Sequence, residues 1–344
     1  MLFANGKSLA QNTNEIVRLK ANEAKEMIDA RKYDAGIKLL QEARKADPSD
    51  FKILYEMGLA YYLKKDFNTA ILIFNQLIKM KDINADCYEM FGNILDDDNQ
   101  SERALEMYYQ GLKKFPKSGS LYFQIGNIYL SQKKYNEAVS VFESGIEAEP
   151  TYPMNYYRAA KLYCYSNEEV WGMIYGEIFL NLAKSNKYSA EISKLLYDTY
   201  LSEIKLTSDS TLTVSFSMEK PSAHSPNPYG TIIYEPTLEQ ALKGIKYIDL
   251  NTLNKVRTRF LEIYFAKKID SQFPNVLFEY QNKVRQAGHL DAYNHWLLFK
   301  GNETMFAIWQ AKNKEKWDSF TEWFNTNPIE INENNLFSRK RMSK

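Results

Sequence analysis

Between residues 51 and 150 the apolar positions follow a double rhythm. Within a segment, Leu54, Met57, Gly58 and Tyr61 fall at i, i+3, i+4 and i+7, and Ala70, Phe74 and Leu77 share a second face. Such spacing places each set on one side of a helix, so two amphipathic helices are predicted, joined by a short turn. Across segments the whole pattern returns every 34 residues: Gly58, Gly92 and Gly126; Ala70, Ala104 and Ala138; Phe74, Tyr108 and Phe142. Pro116 and Pro150 close two of these units, and Asp82 stands at the equivalent place in the one before. A fixed period of about 20 to 50 residues predicts a stack of like units, each burying its apolar face against the next.

The flanks carry weaker copies. Residues 14–50 predict a first hairpin, EIVRLKANEAKEMIDA and DAGIKLLQEARKA, with Leu19, Ala24 and Met27, then Gly36, Leu40 and Ala43, at matching offsets. A fifth copy opens at Pro153 with Tyr156, Ala159, Ala160 and Tyr163. Its second helix has Gly172 and Gly176 where Ala and an aromatic are expected, so the pattern fades there. SAEISKLLYDTYLSEIKL predicts one further, capping helix, since a terminal unit needs an outer face with nothing stacked on it.

Agreement of period, helix pairing and residue type over copies near 17–50, 51–84, 85–118, 119–152 and 153–186 resembles the tetratricopeptide repeat family, including bacterial, exported members. The resemblance implies an all-α fold, a right-handed superhelix of helical hairpins, in which the first helices line a concave groove. The family's bulky aromatic near the start of the first helix is Tyr88 or Tyr122 in this sequence, where a tryptophan is common.

Beyond the array the period changes. TLTVSFSM alternates apolar and polar residues, GTIIYE offers a second short strand, and Pro221, Pro226, Pro228 and Gly230 punctuate the stretch. Residues 207–236 are therefore expected to be a hinge with one or two short strands. Helical pattern returns over 237–334: LEQALKGIKYI behind Thr237 as N-cap, NTLNKVRTRFLEIYFAKKI, and two further hairpins after Pro274. The tail 335–344, LFSRKRMSK, is expected to be frayed and solvated.

Composition narrows the function. With 44 basic and 43 acidic residues the net charge is +1, so no overall field draws in nucleic acid or an anionic membrane. The longest apolar runs fall far short of the roughly 18 residues that span a bilayer. Cys87 and Cys164 lie at different places of different copies and are read as separate buried thiols. At the N-terminus, Ser8-Leu9-Ala10 before Gln11 offers the small residues of an export cleavage site without the preceding charged and apolar regions. Two readings of 1–14 stand, a remnant of an export signal or a disordered polar lead-in. Localisation is accordingly periplasmic or otherwise exported, with cytoplasmic as the alternative.

No motif for catalysis is present: no phosphate-binding glycine loop, HExxH, paired CxxC or GxSxG. His289 and His295 around Asp291 lack a third ligand, and Asp96-Asp97-Asp98-Asn99 lacks the alternating acids, central Gly and distal Glu of a calcium loop. No catalytic residue, metal or cofactor is expected. What remains is a surface. The resemblance places Ala21, Lys25 and Ile28; Tyr55, Leu59 and Tyr62; Glu89, Asn93 and Asp96; Phe123, Asn127 and Leu130; and Tyr157, Lys161 and Cys164 beside the packed faces of the first helices. Each triplet runs i, i+4, i+7 and shares one helical face. Tyr55, Tyr62, Glu89, Asn93, Phe123, Asn127, Tyr157 and Lys161 are the candidate groove residues, Asn93 and Asn127 standing in register to pair with an extended peptide backbone. The competing reading has Tyr55, Phe123 and Tyr157 packing between repeats. The expected function is a non-enzymatic scaffold for a peptide or protein segment. The alternatives are a C-terminal region that binds a sugar or lipid among Trp296, Trp309, Trp317 and Trp323, or a structural part of an envelope assembly.

Overall fold

The computed structural model describes residues 4–206, 212–220 and 228–342, with side chains from about residue 15 onward. The fold class is the one the period predicts: helical hairpins, with one two-stranded sheet among the described residues. The chain divides into two compact units, Met1–Ile128 and Tyr129–Lys344.

In the first unit, α1 (Ala4–Asp29) pairs with α2 (Tyr33–Ala46), α3 (Phe51–Leu63) with α4 (Phe67–Leu77), and α5 (Ala85–Asp97) with α6 (Ser101–Lys114); α7 (Gly119–Ser131) begins the fourth hairpin. Ser8-Leu9-Ala10 thus falls within α1. The second and third pairs are each held by a glycine against an aromatic. A Cβ on Gly58 would stand 2.5 Å from the Phe74 ring, and one on Gly92 2.1 Å from Tyr108. Phe74 then stacks on Phe91 of the next hairpin at 5.9 Å, so one ring fastens two crossings.

The turns inside the hairpins repeat as strictly as the cores. Arg31, Lys65, Asn99 and Lys133, again 34 apart, all take a left-handed conformation, with φ between 59° and 68°. At each, two backbone bonds close the helix end: Lys65 N–H donates to the Tyr62 carbonyl at 2.8 Å and Asp66 N–H to that of Tyr61 at 2.9 Å, and the other three copies match. This is the Schellman arrangement, usually completed by glycine. Asp82 is also left-handed, at φ 63°, a conformation closed to proline, which explains its departure from the proline rule of the other units.

In the second unit, α8 (Tyr135–Ala148), α9 (Pro153–Cys164), α10 (Glu169–Leu182) and α11 (Ser189–Glu203) continue the chain. The faded pattern of α10 has a physical cause: its residues from Val170 to Asn181 are all buried. Gly172 lets α9 approach, a Cβ there lying 2.4 Å from Cys164 Sγ, and Gly176 admits Ile192 and Leu196 of α11. Strand β1 (Ile204–Leu206) grows directly from α11 and pairs antiparallel with β2 (Leu212–Val214), Ile204 opposite Val214. GTIIYE is not a strand. Gly230–Tyr234 is a π-type turn leading into α12 (Glu235–Ala241), where Thr237 lies inside the helix and bonds back to the Ile233 carbonyl rather than capping. Pro221, Pro226 and most of HSPNPYG lie outside the described residues. Next come α13 (Leu250–Ala266), opened by a reciprocal Asp249–Thr252 cap, α14 (Val276–Gln286), α15 (Leu290–Leu298), α16 (Glu303–Lys312) and α17 (Lys314–Thr326).

The tail departs from expectation. Leu336, Phe337 and Ser338 are buried, Phe337 stacking on Trp171 at 5.5 Å, and the short α18 (Arg339–Met342) follows. Arg341 pairs with Glu147 at 3.1 Å, Ser338 bonds the same carboxylate, and Lys340 reaches Ser140 and Ser144. The aromatic ahead of the basic run docks the segment on α8 and α10, and the charges meet acids there.

At the centre of this unit Glu177, 3% exposed, accepts from Arg257 at 2.7 Å, Gln281 at 2.6 Å and Tyr293 at 2.8 Å. Arg257 also donates to Asn294 and Tyr200, and Asn181 to Tyr293.

Two stability predictions follow from this geometry. All five tryptophans, at 171, 296, 309, 317 and 323, lie in the second unit, so their fluorescence reports its unfolding alone. Lys133→Gly relieves a left-handed side-chain residue and should stabilise by about 0.5–1 kcal/mol in urea unfolding; a loss would show that the lysine side chain matters more than its backbone. Arg257→Met strands a buried carboxylate and should cost about 3–5 kcal/mol, part of which Glu177→Gln should restore in the double variant. A cost below about 1 kcal/mol would mean that the pair is no keystone.

Candidate functional site

The expected groove residues of the first unit sit on α3, α5 and α7 with half-buried side chains. Tyr55 lies edge-on to Phe74 at 5.6 Å, and burial with the acids Asp86, Glu56 and Glu89 nearby pushes its hydroxyl up to about 12. Tyr62 donates to Asp97 of the next hairpin at 2.5 Å, and its hydroxyl is likewise raised to about 12 by burial and by that acceptor. Gln124 of α7 donates to Glu89 of α5 at 2.9 Å. These bonds join successive first helices side to side and fix the face on which they lie.

The two asparagines differ. Asn93 accepts from Tyr108 of its own hairpin at 2.7 Å, so its carbonyl is occupied by the fold. Asn127 is half-buried, and its Oδ1 is enclosed with no hydrogen-bond partner. An enclosed acceptor without a donor costs about 1–3 kcal/mol unless something supplies one. Phe123 stands one turn before it on the same face, also half-buried. The face is acidic: α3 and α5 carry Glu56, Asp86, Glu89, Asp96 and Asp97 against Lys52 alone. Lys25 and Ala21 border a shallow cleft with Asp47, Asp50 and Glu56, whereas Ile28 is buried.

In the second unit the candidate residues separate. Tyr157 is 3% exposed, stacked on Tyr188 at 4.4 Å and bonded to Glu191, and Cys164 is buried with its thiol pushed up to about 12. Lys161 pairs with Glu191 at 2.5 Å yet still lines an open cleft of about 600 Å³ together with Leu130, Tyr135, Arg158, Tyr165 and Arg339. Tyr135 and Tyr165, 56% and 78% exposed there, are surface aromatics that the sequence reading did not single out. Both stand outside the repeating face, and only their placement at helix ends marks them.

The other candidates resolve into packing. His295 is buried, stacked on Trp309 at 4.2 Å, with its nitrogens against the Asp291 carbonyl and Asn251; His289 rests beside Trp323. Asp96 accepts from Ser101 across the turn, and Asp97 accepts from Tyr62 of the preceding hairpin. Among the described residues no three metal-ligating side chains converge, and no helix is long and apolar enough to cross a membrane. Trp296 and Trp317 line a cleft, whereas Trp309 and Trp323 pack on the histidines.

Glu169 at the start of α10 lies near Glu203, Glu168 and Glu235, and burial followed by those charges raises its carboxyl to about 7. A carboxyl raised on folding favours the folded state below its unfolded value near 4.5, and that advantage is lost as pH rises through about 7. Glu169→Gln should therefore be the more stable form at pH 8 and lose its advantage at pH 4; equal pH profiles of thermal unfolding for variant and wild type would refute this.

The family models for tetratricopeptide repeats match residues 22–84 and 119–152. The chain thus carries tetratricopeptide repeats over these two stretches. No curated protein matches it. Similar solved structures include Pseudomonas aeruginosa pilF, at 16% identity over 56% of this chain and 86% of that one with a TM-score of 0.47. MamA from Desulfovibrio magneticus RS-1 gives 15% identity over 50% and 97%, TM-score 0.39. YrrB, described as a TPR protein with an unusual peptide-binding site, gives 20% over 53% and 94%, TM-score 0.36.

Proposed function

We propose that this chain is a non-enzymatic scaffold whose first-helix face on α3, α5 and α7 holds an extended protein segment. The observation that carries the reading is the enclosed, unpartnered Asn127 Oδ1 beside half-buried Phe123 on one helical face. A rotation of the half-buried Asn127 side chain would bring its carbonyl to a backbone N–H laid along the face, and an apolar side chain would cover the Phe123 ring. The surrounding acids favour a segment carrying Lys or Arg, since complementary charge speeds encounter and fixes register.

Selection of binders from a random peptide library against the full chain tests this. Binders should be enriched in basic residues, and Phe123→Ala with Asn127→Ala should weaken them about tenfold or more. Leu72→Ser, at an exposed leucine of α4, should leave affinity unchanged. Binders indifferent to the double variant and sensitive at Leu72 would place recognition on the other side of the hairpins.

A further inference from the structure

Where α10, α11, α15, α16 and α17 meet, Leu180, Lys184, Ser193, Trp296, Phe306 and Trp317 enclose a cleft of about 190 Å³. Its walls are packed against their neighbours. Phe306 stands edge-on to Trp317 at 5.3 Å and Trp296 edge-on to Phe324 at 4.6 Å, and Ser193 is 1% exposed, fixed by the Lys300 amide. The volume compares with an engineered cavity of about 150 Å³ that takes benzene.

The charge is what distinguishes this cleft from ordinary aromatic packing. Lys184 holds its ammonium 3.7 Å from the centre of the Phe324 ring and donates to the Phe324 carbonyl. Among the described residues no carboxylate pairs with it, in contrast to Lys161, Lys194, Lys300 and Lys314, each of which meets an acid. Glu303, at the start of α16, is taken by Lys300 at 3.1 Å. A half-buried ammonium has three donors; one carbonyl and one ring face engage two of them, and Lys184 lines the cleft with the third to spare.

We infer that this cleft is a binding site for a small organic acid, an aryl or short acyl carboxylate, whose apolar body lies among Trp296, Phe306 and Trp317 and whose carboxylate pairs with Lys184. The lone cation disfavours a neutral sugar as the occupant, and the volume is too small for a long acyl chain. The site lies in the helices after the repeats and owes nothing to the groove reading, so either proposal can fail without the other.

Calorimetric titration of the full chain with phenylacetate and hexanoate tests it, with tryptophan fluorescence as a second readout. At least one acid should bind with a Kd on the order of 1 mM or tighter. Phenylacetamide, with the same body and no charge, should bind at least about tenfold more weakly. Lys184→Met, which keeps the stem over Phe324, should produce the same loss, and Lys184→Arg should restore binding. The amide comparison needs no variant and so stands even where Lys184→Met misfolds. Saturation by neither acid at about ten times that Kd, equal binding of acid and amide, or binding only of a blocked peptide ending in a free C-terminal Phe would overturn the assignment.

Discussion

The second unit depends on a single carboxylate. Glu177 lies in the middle of α10, a helix buried from Val170 to Asn181, and a charge there is tolerable only if its hydrogen-bonding capacity is met. Arg257 from α13, Gln281 from α14 and Tyr293 from α15 converge on its Oε1, so three later helices are each fixed in register by one bond. Apolar packing alone would allow these helices to slide or rotate at small cost. The buried polar centre penalises every alternative arrangement by leaving a charge or a donor unsatisfied. Asn294, Tyr200 and Asn181 extend the same requirement outward, which is why so many polar side chains of this unit are almost fully enclosed.

Repetition separates packing from recognition in the first unit. The glycine and aromatic at the Gly58–Phe74 and Gly92–Tyr108 crossings are fixed by contact distances shorter than a Cβ permits, and the left-handed turns at Arg31, Lys65 and Asn99 are fixed by the same two backbone bonds. Nothing at those positions is free to vary. The residues one step around the helix are bound only sideways, Tyr62 to Asp97 and Gln124 to Glu89, and this is where the copies differ in chemistry. Asn93 and Asn127 show how fine the division is: one amide is consumed by Tyr108, and its counterpart 34 residues on has an enclosed acceptor without a partner.

The hairpins were legible because each side chain in the 34-residue pattern meets the same neighbour in every copy, so sequence spacing is spatial spacing. The helices after residue 237 were legible as elements for the same reason of period, but their docking was not, because it rests on lone polar residues. The one available signal was Glu177 between Tyr175, Gly176, Ile178 and Phe179, a charge inside an otherwise apolar stretch. GTIIYE misled because a short β-branched run has no period long enough to separate strand from helix; Gly230 packs against Ser217, and the segment turns as a helix. The tail misled because its basic residues outweighed Leu336 and Phe337, whose burial decides its course. Of the candidate surface, the face of the first helices could be read from periodicity, whereas Tyr135, Tyr165 and the cleft around Lys184 depend on tertiary proximity that no spacing encodes.

The fading of the repeat at its fifth copy is then a change of role rather than decay. A terminal hairpin of a repeat array must either turn a polar face to water or be covered, and α10 is covered. Cys164 meets Gly172 from one side, Ile192 and Leu196 meet Gly176 from another, and Trp171 is closed over by Phe337 of the tail. Small residues were needed where three elements rather than one come close, and the aromatic of the repeat pattern has no room there. The tail completes the cover through charge as well as area. Arg341 and Ser338 both engage Glu147, and the amide of Arg339 bonds Tyr175, whose hydroxyl donates to buried Glu143. The second helix of the fifth copy has thus become the core of the unit, and the helices that follow it are the outer layer that a repeat in that position would otherwise require.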